Sequence, residues 1–300
     1  MMRISKTAFF IFILLTFIWG TSFILIKKSL LVFSPVQIGS LRILITFITL
    51  LPFSFKYMKR IKMKDWIIIA ISGLIGSFFP AYLFAFAQEG INSSTAGILN
   101  SLTPLFALLI GVLFFQFQAK WWNYLGIIIT FIGTYGLLTI SGGQEFSFNF
   151  KYSLYILIAA LGYGTQVNII KYILHHIPSF TILVAQYFII GGLAAIVLFV
   201  FTDFSQMISF KPDFLMGMFY VSVLAIVATA FALVLFYRLI KLVDPVFSSS
   251  VTYFIPAIAV LWGIFDGESV SFSFFLWVTT ILLGVFFVNS KNLRFLETKK

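Results

Sequence analysis

The stretch Trp19-Gly20-Thr21-Ser22-Phe23-Ile24-Leu25-Ile26-Lys27-Lys28-Ser29-Leu30 returns 144 positions later as Tyr163-Gly164-Thr165-Gln166-Val167-Asn168-Ile169-Ile170-Lys171-Tyr172-Ile173-Leu174. Five of the twelve positions are identical, among them the glycine, the threonine and the lysine. A second correspondence, at a shift of 152, sets Gly97, Asn100, Pro104 and Gln116 against Ser249, Thr252, Pro256 and Glu268. Chance likeness between apolar segments would not keep a small residue, a polar residue and a proline at i, i+3 and i+7 in both places. The chain is therefore read as two related halves.

The material of those halves is suited to lipid. Of 300 residues, 61% are hydrophobic and 10% charged, where an ordinary soluble domain has about 25% charged residues. A hydrocarbon core of about 30 Å takes roughly 20 apolar residues in helix. The apolar runs fall at 7–28, 36–55, 66–88, 94–115, 121–139, 153–174, 179–201, 213–238, 246–265 and 272–289. They lack the two-residue alternation of a barrel strand, and a spanning segment must satisfy its own backbone, so they are expected to be helices. The first run follows Arg3 and Lys6 and resembles a secretory signal, but it continues through Trp19 to Ile26 and lacks a convincing small-residue cleavage site, which makes it an uncleaved first helix.

The expected fold is thus all-α: a polytopic membrane protein with ten transmembrane helices in two five-helix repeats. Five is odd, so the second copy enters the membrane upside down relative to the first, an inverted repeat of the kind that recurs in secondary transporters. The first repeat occupies 1–141, a connecting loop 142–152, the second repeat 153–290 and a basic tail 291–300. With the N-terminus inside, that side collects 15 Lys and Arg, most densely between Phe55 and Asp65, and the other side four. Both ends of the chain are therefore expected in the cytoplasm, with the body in the cell membrane.

Several functions are argued against. The net charge of +11 is dispersed in short tracts between apolar runs, not gathered on a solvated face, so nucleic acid is not an expected partner. Without cysteine there is no thiolate site, and no metal or cofactor is expected. The two histidines, His175 and His176, are adjacent at a helix end with no nearby acid in sequence, which argues against an intramembrane enzyme. A passive channel or a structural scaffold is the alternative, but polar residues gather near the middle of the runs and do not form a full-length stripe.

Taken together, the Trp-Gly-Thr-Ser-Phe stretch ending in Lys27, Ser34-Pro35 before a helix carrying Arg42, Leu102-Thr103-Pro104-Leu105-Phe106, and Phe254-Ile255-Pro256-Ala257 followed by Gly267-Glu268 resemble the drug/metabolite transporter superfamily, in the branch with paired EamA-type domains. The resemblance covers essentially the whole chain. It departs from the pattern where an acidic residue often follows the fourth helix, a position held here by Gln116. It implies a carrier of a small solute, an amino acid or similar amphiphilic metabolite leaving the cell by alternating access. It also implies that helices three, four, eight and nine border the cavity, with five and ten more peripheral.

Candidate contacts to that solute follow from the residues. Proline inside a helix removes a hydrogen bond and frees a carbonyl, so Pro80, Pro104 and Pro256 mark expected breaks, the last two beside the cavity. Asn100 and Thr252 share a face with those two, and Tyr253 is adjacent. Trp19 with Ser22 and Tyr163 with Gln166 are equivalent aromatic and polar pairs three residues apart on one helix face. Tyr82 and Asn168 are weaker candidates. Lys27 and Lys171 end their helices and are expected to snorkel, and Arg42 needs a carboxylate or carbonyl partner. Gly126 and Gly133 would let the fifth helix pack closely on a neighbour, in the same chain or in a homodimer. All nine acidic residues fall at helix ends or in loops, so facilitated movement, exchange, or a proton route through Glu89 is expected.

Overall fold

A computed structural model describes residues 6–59, 61–140, 149–266 and 272–289. Arg3, Arg60, Glu268, most of the loop 142–152 and the tail 291–300 lie outside the described residues. Within them the chain is helical, without strands, and forms ten long helical stretches. These are α1 (Lys6–Ser29), α2 (Pro35–Met58), α3 (Met63–Ala87), α4 (Ser93–Phe115), α5 (Trp121–Ile140), α6 (Phe150–Ile173), α7 (Ser179–Phe201), α8 (Pro212–Leu242), α9 (245–265) and α10 (Phe272–Asn289). Seven of them, α1 to α4 and α6 to α8, are long and apolar enough to cross a membrane. The apolar parts of α5 and α10 are shorter, Trp121–Gly133 and Phe275–Gly284. A 3-10 turn at Ser250–Tyr253 interrupts α9.

Local chemistry sets the helix starts. Ser34 opens α2 with a capping box to Gln37, and Pro35 stands in the first turn, where a missing N–H costs nothing. Asn92 opens α4 and Asp244 opens α9, each side chain accepting from the backbone N–H three residues on, Thr95 and Phe247. These caps are 152 positions apart, the shift already seen between Asn100 and Thr252.

The helices pack with a pseudo-twofold relation. α1 lies on α8 and on the second part of α9, and α6 lies in the same way on α3 and on the second part of α4. Across the axis α2 packs on α7, and α5 on α10. The first part of α4 meets the second part of α9, and the second part of α4 meets the first part of α9, so these two helices run antiparallel. That is the relation an inverted repeat requires.

Close approach at the crossings explains two glycines. A Cβ on Gly20 would collide with Ile258 of α9, and a Cβ on its counterpart Gly164 with the backbone of Phe106 and Ala107 in α4. The small-residue face of α5 is likewise filled from within the chain: Gly133 is set against Trp277 and Ile281 of α10, and the Gly126 carbonyl against Gly284. Outward faces carry large apolar side chains such as Phe17, Leu113, Phe131, Phe199 and Phe219, all exposed. So much apolar surface suits lipid and not water.

The breaks fall partly where proline predicts them. α4 breaks at Ser101 and Leu102 and restarts at Thr103 with Pro104 in its first turn. Pro104 cannot donate to the Asn100 carbonyl, and the Thr103 hydroxyl takes that carbonyl at 2.7 Å. The freed acceptor is thus satisfied locally and is not left to a solute. α3 widens into a π-helical turn at Leu74–Phe78 just before Pro80. The second half has no matching proline, yet α8 has its own π-helical turn at Ile226–Phe231, 152 positions on.

Candidate functional site

A cavity of about 70 Å³ lies where the halves meet. Four helices of each half wall it, α1 to α4 and α6 to α9, while α5 and α10 pack on each other and take no part. The lining is therefore broader than the four helices expected.

The irregular turns position much of the lining. In α8, the π turn leaves carbonyls without their usual helical donors, and side chains from the other half come to them. Trp19 Nε1 donates to the Ala228 carbonyl at 3.0 Å, and Thr46 Oγ1 to the Ala225 carbonyl at 3.0 Å. Thr229 Oγ1 bonds back to the Leu224 carbonyl at 2.8 Å and accepts from Arg42 Nε at 2.8 Å. The Trp19 ring, fixed by its own N–H, meets Phe236 edge-on with centroids 4.8 Å apart.

Six of the eleven residues singled out in the sequence line this cavity: Trp19, Ser22, Asn100, Tyr163, Gln166 and Thr252. They differ in how far their polar atoms are already committed. Ser22 donates to the Trp19 carbonyl, and Thr252 to the Ser249 carbonyl at 2.9 Å. Gln166 Nε2 is held by the Ser72 carbonyl at 3.0 Å and the Tyr237 hydroxyl at 2.9 Å, which makes it a tie between α3, α6 and α8. The Asn100 Oδ1 accepts from Thr103 at 3.2 Å, and its Nδ2 meets no protein acceptor among the described residues.

The other five do not line it. Tyr82 shares a hydrogen bond with Ser40 at 2.9 Å and packs α3 on α2. Asn168 Nδ2 donates to the carbonyls of Ala107 at 2.8 Å and Gly164 at 2.9 Å, tying α6 to α4. Tyr253 is buried in the 3-10 turn of α9, and Pro104 and Pro256 restart their helices. A helix face shared with a cavity residue is not enough, because the neighbouring turn points at a packed helix instead.

Arg42 is the residue whose surroundings sequence reasoning misjudged. It lines the cavity, where it donates to the Thr229 hydroxyl and shares the wall with Tyr163; among the described residues it meets no carboxylate or carbonyl. Thr229, Tyr187 and Phe236 also join the lining. A polar face would have marked them, but a helix buried against both lipid and protein has no amphipathic stripe.

Groups at the two ends are tied down. Lys27 and Lys28 do not reach outward freely: both engage Asp266 beyond α9, at 2.8 Å and 2.5 Å. Hydrogen bonds from Lys27 and Lys28 hold the Asp266 carboxyl below the usual carboxylate range. At the other end Lys171 donates to the carbonyls of Val243 at 2.6 Å and Lys241 at 3.3 Å. His176 has an acid close in space if not in sequence, Asp65 at 3.1 Å, joining the start of α3 to the turn before α7. Glu89 stands exposed in a turn, away from the cavity. Among the described residues no three His, Asp or Glu side chains come together as metal ligands would.

A family model described as the EamA-like transporter family matches residues 6–139 and again 150–290. The chain belongs to that family. It is accordingly a multi-pass membrane protein of a transporter family. It is similar to an uncharacterized transporter of Archaeoglobus fulgidus, 33% identical over 115 residues, which span 38% of this chain and 41% of the relative. It is also similar to the uncharacterized transporter YcxC of Bacillus subtilis, 28% identical over 236 residues and 73% of each chain. A third relative, the uncharacterized transporter YdfC of Bacillus subtilis, is 26% identical over 48% of this chain and 46% of its own length. A solved crystal structure superposes with a TM-score of 0.71 over 98% of this chain and 99% of that one, at 18% identity, a likeness of fold alone.

Proposed function

We propose that this transporter is a secondary carrier that moves a small metabolite, an amino acid or similarly amphiphilic solute, out of the cell by alternating access. The observation that carries the reading is the cavity itself: it lies between inverted halves and draws its walls equally from both. If the halves exchange conformations, such a space opens first to one side and then to the other. Its walls combine aromatic rings with a few polar groups, the usual make-up of a pocket for a partly apolar solute.

The same reading takes all ten helices as crossings, with repeats at 1–141 and 153–290, and places both chain ends in the cytoplasm. Two observations support it. Lys and Arg are distributed 15 to 4 between alternate sides. In the structure, Lys27 at the end of α1 meets Asp266 at the end of α9, and α10 then returns antiparallel along α5. On this reading the start of α1 and the end of α10 leave the bundle on one face.

Counterflow tests the carrier reading. Purified protein in liposomes preloaded with unlabelled amino acids or related metabolites should transiently concentrate the labelled solute from outside. Passive equilibration for every permeant solute would mean a pore.

A further inference from the structure

Resting on that carrier reading, we propose that the cavity takes a solute with a single anionic group of the carboxylate kind, anchored on Arg42.

Arg42 is a charge without a counter-charge among the described residues. Arg42 lies two turns inside α2, half-buried, with its guanidinium in the cavity wall. A guanidinium carries five N–H donors and stays protonated. Its hydrogen-bond partner among the described residues, the Thr229 hydroxyl, is neutral. Among the described residues no Asp or Glu lines the cavity.

Nor is an acid within reach elsewhere among the described residues. Asp65 pairs with His176, Asp266 with Lys27 and Lys28, and Asp203 accepts from Gln37. Asp244 caps α9, Asp213 sits in the first turn of α8, and Glu89 is exposed. An uncompensated cation at bilayer depth is costly, and an anion brought by the solute removes that cost while matching the fork of the guanidinium.

The remaining lining agrees with an anion. Asn100 Nδ2 adds donors with no protein acceptor among the described residues. The fixed Trp19 and Phe236 rings supply an apolar wall for the solute's body. For an ammonium group, by contrast, the lining offers neutral oxygens and ring faces but, among the described residues, no carboxylate. A zwitterionic amino acid therefore satisfies the site less well than the same skeleton without its amine.

The test uses the intact chain in liposomes and three probes of one shape: 4-methylpentanoate, its amide, and leucine. Each competes for counterflow of a solute that the carrier test has shown to be moved. The acid should compete best, leucine less well, and the amide at least tenfold more weakly than the acid. In Arg42→Gln the gap between acid and amide should close, while Arg42→Lys should keep part of it. The wild-type ranking needs no variant, so it stands even if Arg42→Gln fails to fold. Equal competition by acid and amide in wild-type protein overturns the anion inference and leaves the carrier reading intact. If no solute shows counterflow, the carrier reading fails and this inference falls with it.

Discussion

Arg42 and Gln186 stand eight residues beyond the caps of α2 and α7, at equivalent places in the two halves. Gln186 is fully buried and closed on its neighbours: its Nε2 donates to Ser72 Oγ at 2.9 Å, and its Oε1 accepts from the Tyr237 hydroxyl at 2.6 Å. Tyr237 accepts in turn from Gln166 at 2.9 Å. Arg42 has one hydroxyl, that of Thr229, and a cavity. The ends differ in the same way. Beyond α1 and α9 an acid gathers two lysines, whereas at the opposite end Phe115 stacks on Tyr172 with centroids 5.4 Å apart. A duplicated frame thus holds unlike chemistry: at one of two equivalent positions a polar group is closed on its neighbours, and at the other a charge stands beside the cavity.

The strongest way to break the comparison is to break the frame they share. Gly164→Leu drives a side chain into the α4 backbone, an overlap for which nothing can move aside. It should abolish recovery of monodisperse protein in detergent, and normal yield and melting would show that the halves do not pack as described. A smaller effect sharpens the contrast between the two equivalent positions. Gln186→Leu removes a buried hydrogen-bond partner from Ser72 and Tyr237 and should cost about 1–2 kcal/mol of stability. Its preference for acid over amide in competition should be unchanged, since Gln186 does not line the cavity. A lost preference would mean that charge recognition is shared across the axis.

The smallest effect concerns the end held by Asp266. A carboxyl whose folded pKa is lowered contributes stability above its ordinary pKa and loses it as pH falls through the lowered value. Hydrogen bonds from the two lysines lower the Asp266 carboxyl, so the tie should persist through mildly acid conditions and fail only below the usual carboxylate range. Its partly exposed lysines limit its worth to about 1 kcal/mol or less. Melting curves of wild type and Asp266→Asn should run parallel from neutral pH into mild acid and converge only below that range. Convergence already near neutral pH would contradict the pairing.

Much of the frame was legible in the sequence. Length and apolarity place the helices, the repeated Gly-Thr and Lys positions disclose the duplication, and Pro104 points to the break in α4. The π turn of α8 was not legible, since Ile226 to Phe231 holds no proline or glycine and its freed carbonyls are met by Trp19 and Thr46 from distant helices. The site was half legible. Trp19, Ser22, Asn100, Tyr163, Gln166 and Thr252, singled out because polar or aromatic groups recur in both halves, line the cavity. Arg42 was expected to meet a carboxylate or carbonyl; its partner is instead a hydroxyl of α8, and a helical period does not say which neighbour a buried side chain meets. Tyr82 and Asn168 look alike in sequence to the lining residues but serve α2–α3 and α4–α6 contacts.

On the carrier reading, one hollow serves both sides of the membrane in turn. The chain has no cysteine, so Ser22→Cys places a single thiol in the cavity wall without further change. A membrane-impermeant maleimide should label it from either face of oriented vesicles, with a transported solute slowing both reactions. Labelling from one face only, whether or not solute is present, would contradict the account.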